Sequence, residues 1–100
     1  MPTSTVKLKM RNTKGKRIEF TNLFNRKRKV APLEIKIAFR EALELFLNDP
    51  DDRILRNHTL TGKYAGVKSI DVTDDWRALY QEEPKKLVFV NLGIHKDLYN

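Results

Sequence analysis

The spacing of apolar residues changes at Pro50, and that change constrains the fold more than any other feature. Before it, Ile35, Phe39, Ala42 and Phe46 recur every three or four residues, with Leu43 and Leu47 widening the stripe. That is the pattern of a helix with one buried face. Pro32 suits its first turn, where a missing N–H costs nothing. Asn48-Asp49-Pro50 ends it, because proline disfavours helix in the residue before it. Beyond Pro50 the period shortens to two. Residues 67–72, 77–81 and 87–92 read as strands, separated by Thr73-Asp74-Asp75 and by Glu82-Glu83-Pro84-Lys85. Consecutive strands with short links predict an antiparallel meander.

The front of the chain is less regular. Residues 5–10 and 17–21 alternate like strands and flank a turn-like basic stretch, which predicts a hairpin. Asn22 is placed to cap a short helix through Val30, with Leu23 and Val30 two turns apart on one face. Two helices followed by a meander predict an α+β fold, with the helices on one face of a sheet. One hundred residues suit a single domain, spanning 1–100, with 1–16 as an extension or an extra strand.

Charge is divided unevenly along the chain. The net charge is +7, yet residues 1–40 carry 12 Lys/Arg against 2 Asp/Glu, and the remainder 8 against 11. A basic half suits an anionic partner, either nucleic acid or an acidic protein. Arg26-Lys27-Arg28-Lys29 is the densest cluster; a contact to RNA or a partner weighs evenly there against a merely solvated face. No apolar stretch approaches the roughly 18 residues of a membrane span. No signal peptide is legible at the N-terminus. Cysteine is absent, which removes disulfides, thiolate metal sites and a cysteine nucleophile, and fits a cytoplasmic setting.

The polar residues worth weighing as chemistry lie after Pro50: His58, Lys63, Lys68, Asp71, Asp75, Arg77, His95 and Tyr99. Both histidines of the chain are among them, and histidine is the usual general acid or base near neutral pH. A ribonuclease acting without metal needs a base for the ribose 2′-OH, cations for the phosphorane and an acid for the leaving 5′-oxygen. Taken singly, each histidine reads more readily as a surface residue than as a catalyst, Arg77 as one partner of a salt bridge, and Asp71 and Asp75 as turn and strand-end residues. No H-E-x-x-H, G-x-S-x-G elbow, P-loop or dinucleotide-binding glycine pattern occurs, so neither metal nor cofactor is expected.

Three segments carry a resemblance. Leu55, His58, Leu60, Gly62 and Gly66 follow the L-x-x-H-x-L-x-G-x-x-x-G pattern of the RelE/ParE toxin superfamily, especially its YafQ-like branch. Ser69-Ile70-Asp71-Val72 and Asp75-Trp76-Arg77-Ala78-Leu79-Tyr80 continue the similarity. Gly93-Ile94-His95-Lys96-Asp97-Leu98-Tyr99 resembles the closing G-T-H-x-x-L-[YF]. The resemblance implies helices on a twisted, mostly antiparallel sheet, and the toxin of a type II toxin–antitoxin pair. It implies cleavage of mRNA in the ribosomal A site without metal, leaving a 2′,3′-cyclic phosphate. It also implies a cognate antitoxin protein as partner, with mRNA and the ribosome as target.

By position, His58, Asp75 and His95 match residues important to cleavage in that branch, Tyr99 its terminal aromatic, and Arg77 a phosphate-stabilising arginine of related toxins. His95 is expected as general acid, Arg77 as charge stabiliser, and His58 and Asp75 as base or as the group orienting it. Arg26, Lys27, Arg28, Lys29, Lys63 and Lys68 are expected to meet RNA. The chain departs from the pattern at Asp71, where the branch often has histidine; at Lys68, where arginine is common; and at Ile94, where threonine is usual. A carboxylate at 71 suits a base better than an acid. Two alternatives stay open: a ParE-like DNA gyrase inhibitor, against which the pair His58 and His95 argues, or, from the changes at Lys68 and Asp71, a degenerate toxin that only binds its antitoxin.

Overall fold

A computed structural model describes residues 15–99. Strand β1 (Arg17–Phe20) leads into helix α1 (Asn22–Val30) and helix α2 (Leu33–Asn48). Strands β2 (His58–Thr59), β3 (Lys68–Asp71), β4 (Trp76–Glu82) and β5 (Lys86–Ile94) follow, and the short helix α3 (His95–Leu98) closes the described chain. The five strands form one sheet in the order β1-β5-β4-β3-β2. Neighbours are antiparallel except β1 and β5, which run parallel. The expected α+β plan, with two helices on a mostly antiparallel sheet ending in the β3-β4-β5 meander, is what the chain adopts.

The stripe on α2 does what its spacing predicts. Ile35, Phe39, Ala42, Leu43 and Phe46 are buried. Phe39, Ala42, Leu43 and Phe46 join Phe24 and the sheet residues Ile18, Ile70, Ala78, Tyr80, Leu87, Phe89 and Leu92 in one core. Phe89 is its hub, with ring centroids of Phe20, Phe24, Phe39, Phe46 and Tyr80 all within 5.7 Å. Rings meeting at such distances add about 0.5–1.5 kcal/mol per pair beyond simple burial.

A bulge in β5 sets which residues reach that core. Leu79 opposes Asn91 while Tyr80 opposes Phe89, so Val90 is extra. Without the added residue, Leu92 would point away from the helices; with it, Leu87, Phe89 and Leu92 all face them. Thr21 anchors the bulge: its hydroxyl donates to the Val90 carbonyl at 3.2 Å and accepts from the Phe24 N–H at 3.1 Å.

Several local expectations are corrected. Thr21, not Asn22, caps α1, since only its hydroxyl sits outside the helix facing the free N–H groups. Leu23 and Val30 do not form the buried face: they are 38% and 80% exposed, and Phe24 is the buried residue of α1. One residue of phase separates the two readings, and the position of the β5 bulge selects the second. Pro32 stands just before α2 rather than in its first turn. Three short elements escaped the sequence reading, β2, the 3-10 turn Gly62–Tyr64 and α3; the first two are too short and the last too polar to show a period. Of the expected hairpin, the first arm (residues 5–10) lies outside the described residues, and the second arm is β1, paired with β5. No helix among the described residues is long and apolar enough to cross a membrane.

Candidate active site

On the sheet face turned away from α1 and α2 lies a cleft of about 420 Å3, lined by Arg56, His58, Leu60, Thr61, Arg77, His95 and Tyr99. The strands explain why these residues meet. Ala78 and Tyr80 point into the helical core, so by alternation Arg77 and Leu79 point to the opposite face. Across the ladder Arg77 is flanked by Asp71 on β3 and Gly93 on β5. His58, on β2, stands opposite Ser69 in the next row. Gly93 has no side chain to fill the space, and Leu98 of α3 packs there instead: a Cβ on Gly93 would lie 3.2 Å from Leu98 Cδ2. That packing folds α3 back over the end of β5 and brings His95 and Tyr99 to the cleft.

The segment before β2 is pinned from the helical side. Tyr80 donates its hydroxyl to Asn57 Oδ1 at 2.9 Å, and Asn57 Nδ2 donates to the Pro50 carbonyl at 3.0 Å. Burial pushes the Tyr80 phenol up to about 12, so it stays protonated as that donor. With Asn57 turned inward, Arg56 and His58 on either side turn outward to the cleft. Arg56 has a φ of 46°, in the left-handed region that costs a residue with a Cβ about 1 kcal/mol or more. Its carbonyl lies 2.7 Å from His58 Nδ1. A carbonyl only accepts, so Nδ1 carries the proton and the Nε2 lone pair of the neutral ring is left to act as a base.

The glycines of the L-x-x-H-x-L-x-G-x-x-x-G pattern close the loop between β2 and β3. Gly62 and Gly66 have φ of 66° and 89°, values that favour a residue without Cβ. Between them a 3-10 turn, Gly62–Tyr64, places the Tyr64 ring edge-on to Tyr99 at 5.9 Å. Tyr99 in turn meets the His95 ring edge-on at 4.6 Å. The His95 backbone N–H donates to the Asp75 carbonyl at 2.6 Å, which fixes where α3 starts.

Asp71 binds two arginines. Arg56 Nε donates to Asp71 Oδ2 at 2.6 Å, and Arg77 Nε forms an ion pair with Oδ1 at 3.0 Å without the alignment of a hydrogen bond. Arg77 is only 8% exposed, and its Nη1 also donates to the carbonyls of Thr73, Asp74 and Trp76 at 2.8–3.2 Å. Ser69 beside this row is fully buried, and its Oγ has no hydrogen-bond partner among the described residues. Among the described residues, no three His, Asp or Glu side chains converge as metal ligands do.

The residues singled out from sequence therefore separate. His58, Arg77, His95 and Tyr99 share the cleft, and Asp71 adjoins it through its two arginines. Asp75 contributes its backbone to α3, while its side chain is not among those lining the cleft. Lys68 is engaged with Glu82 at 2.6 Å, and Lys63 is exposed beside the Tyr64 ring. The basic run of α1 is split. Arg28 lies 4.6 Å over the Phe20 ring, and its burial lowers its pKa. Lys27 Nζ reaches within 3.8 Å of where a Gly93 Cβ would stand, whereas Arg26 and Lys29 are exposed. Arg56 was missed, because one arginine in a loop carries no periodic signal; its place two residues before His58 was the available hint.

The chain matches, over residues 16–100, the family described as the bacterial toxin of type II toxin–antitoxin systems, YafQ. No curated protein matches it. Among solved structures it is similar to YafQ from Escherichia coli, at 22% identity and a TM-score of 0.73, covering 85% of this chain and 99% of that one. The E. coli DinJ–YafQ toxin–antitoxin complex gives 22% and 0.72, with 86% and 99% covered. The RelBE2 toxin–antitoxin complex from Mycobacterium tuberculosis gives 21% and 0.63, with 78% and 95% covered.

Proposed function

The chain belongs to the YafQ family of type II toxin–antitoxin toxins, and from that premise we propose that it is an endoribonuclease that cleaves mRNA in the ribosomal A site. The observation that carries this reading is the convergence of His58 and His95, 37 positions apart in sequence, on one cleft that also holds Arg77. Two imidazoles and a guanidinium can supply the base, the acid and the cation that in-line attack by a ribose 2′-OH requires. His58 Nε2 takes the 2′-OH proton as the oxygen attacks phosphorus. Arg77 meets the charge on the phosphorane, and the His95 imidazolium gives its proton to the departing 5′-oxygen. The products are a 2′,3′-cyclic phosphate and a 5′-hydroxyl. Every proton in this scheme is moved by a side chain, with no cofactor or metal assigned. Tyr99, edge-on to His95, restrains that ring and offers an aromatic surface for a base.

The structures of DinJ–YafQ and RelBE2, each a toxin with its antitoxin, support an antitoxin protein as the partner of this chain. The exposed cations Arg26 and Lys29 on α1 suit an acidic partner as well as ribosomal RNA.

The test is a programmed ribosome carrying defined mRNA, with cuts mapped by primer extension. An A-site cut that His95→Ala abolishes is the expected result. No cut from folded protein across several codons, together with inhibition of purified gyrase, would replace the nuclease reading with the ParE-like one.

A further inference from the structure

The nuclease scheme uses one arginine, yet the cleft presents two. Arg56 and Arg77 both line it and both sit against the same carboxylate: Arg56 Nε donates to Asp71 Oδ2, and Arg77 Nε is ion-paired with Oδ1 at 3.0 Å. The other ends of the two guanidinium groups are differently occupied. Arg77 spends Nη1 on three backbone carbonyls, which leaves Nη2 without a partner among the described residues. Arg56 makes no hydrogen bond through either Nη among the described residues, and its side chain is 65% exposed. Asp71 itself is mostly buried, with 14% of its side chain exposed. Oδ2 accepts from Arg56 and the buried Oδ1 is ion-paired with Arg77, a poor arrangement for removing a proton from substrate. The carboxylate cancels one of the two positive charges and leaves the group cationic.

From this arrangement we infer that Arg56 and Arg77 form a two-pronged clamp for a phosphodiester, with Asp71 as its positioning residue. The inference rests on the nuclease reading and deepens it. Arg56 becomes a second phosphate-binding residue, and Asp71 acts through the arginines instead of moving a proton. Arg56, held by Nε, presents its Nη edge in a fixed plane, the geometry that recognises two phosphate oxygens, and Arg77, anchored through Nη1, adds Nη2 as a single further donor. The left-handed backbone of Arg56 joins this clamp to the base, because the residue that supplies one prong also supplies the carbonyl that sets the His58 tautomer. A phosphodiester is favoured over a carboxylate ligand by the neighbours: two imidazoles able to exchange protons with a ribose, and a Tyr99 ring able to stack on a base, line the same cleft.

The test is NMR of the intact chain with 15N-labelled arginine, titrated with a 2′-O-methylated ribodinucleotide that cannot be cleaved. The Nε–H signals of Arg56 and Arg77 are expected to shift along one binding curve. Arg56→Ala should weaken that binding about fivefold or more, and Arg56→Lys should recover only part of it. Asp71→Asn should expose the Arg56 Nε–H signal to solvent exchange and weaken binding, with Asp71→Glu restoring both effects in part. If Asp71→Asn does not fold, the Arg56 variants decide alone, since that side chain is exposed. Shifts confined to Arg77 with unchanged affinity in Arg56→Ala would overturn the clamp. So would acetate moving the signals as strongly as the dinucleotide. If folded Asp71→Asn binds normally but loses the alkaline-rising limb of cleavage, Asp71 is a base and the positioning role fails. Dinucleotide binding through both arginines without mRNA cleavage would support the clamp and count against the nuclease reading.

Discussion

Tyr80 and Asn57 are joined by a 2.9 Å hydrogen bond that crosses from the helical core to the loop entering β2. The bond holds Asn57 inward and thereby turns Arg56 and His58 out on the opposite side. Removing the hydroxyl tests how far the cleft depends on the core. Tyr80→Phe leaves Asn57 Oδ1 short of a donor, at an expected cost of about 1–2 kcal/mol in urea unfolding. Cleavage should fall severalfold, because Arg56 and His58 lose their fixed placement. A variant with wild-type cleavage but reduced stability would show that the loop is held by other contacts.

The two histidines should be separable from binding. His95→Ala and His58→Ala are each expected to reduce cleavage on programmed ribosomes about 100-fold or more, while binding of non-cleavable mRNA in the A site changes little. The motive is their shared cleft with Arg77. Loss of mRNA binding in step with cleavage would make them contact residues rather than acid and base.

The basic run on α1 should divide by residue. Arg28 lies over Phe20 and within 6 Å of the Phe24 and Phe39 ring centroids, and it donates to Asn25 Oδ1 at 2.8 Å. Arg28→Ala should therefore destabilise the fold by about 1–2 kcal/mol, through lost packing and a lost cation–π contact. The double variant Arg26→Ala/Lys29→Ala removes exposed charge and should leave thermal stability nearly unchanged while weakening association with ribosomes. If both variants behave alike in the melt, the aromatic seat of Arg28 contributes nothing.

Acid should loosen the far end of the sheet. Hydrogen bonds from Lys16 at 2.7 Å and Lys68 at 2.6 Å hold the Glu82 carboxyl down, from the ordinary 4.5 to about 2. A carboxyl with a depressed folded value stabilises the native state above pH about 4.5, and that contribution is lost as pH falls through about 2. Because Glu82 is 39% exposed, solvent screening reduces it to about 1 kcal/mol at most. Glu82→Gln should be less stable than wild type at pH 6, with the difference vanishing near pH 2. An equal gap at both pH values would mean that packing, not charge, is what the substitution disturbs.

The sequence by itself determined the longer elements and their order, while β2 and α3 are too short or too polar to show a period. The stripe from Ile35 to Phe46 required a helix against a core, and alternation after Pro50 required a meander; both follow from local periodicity. The Gly62 and Gly66 positions and the two histidines were also readable, because a motif names residue types at fixed spacing. Tertiary structure alone decided which phase of α1 is buried, since the burial of Phe24 rather than Leu23 follows from where Phe89 lies. It alone decided that Asp71 lies between two arginines while the Asp75 side chain stays outside the cleft. It also brought Arg56 to Arg77 across 21 positions of chain. The physical reason is the same in each case: strand register and the β5 bulge choose which residues share a face, and register depends on partners that are distant in sequence.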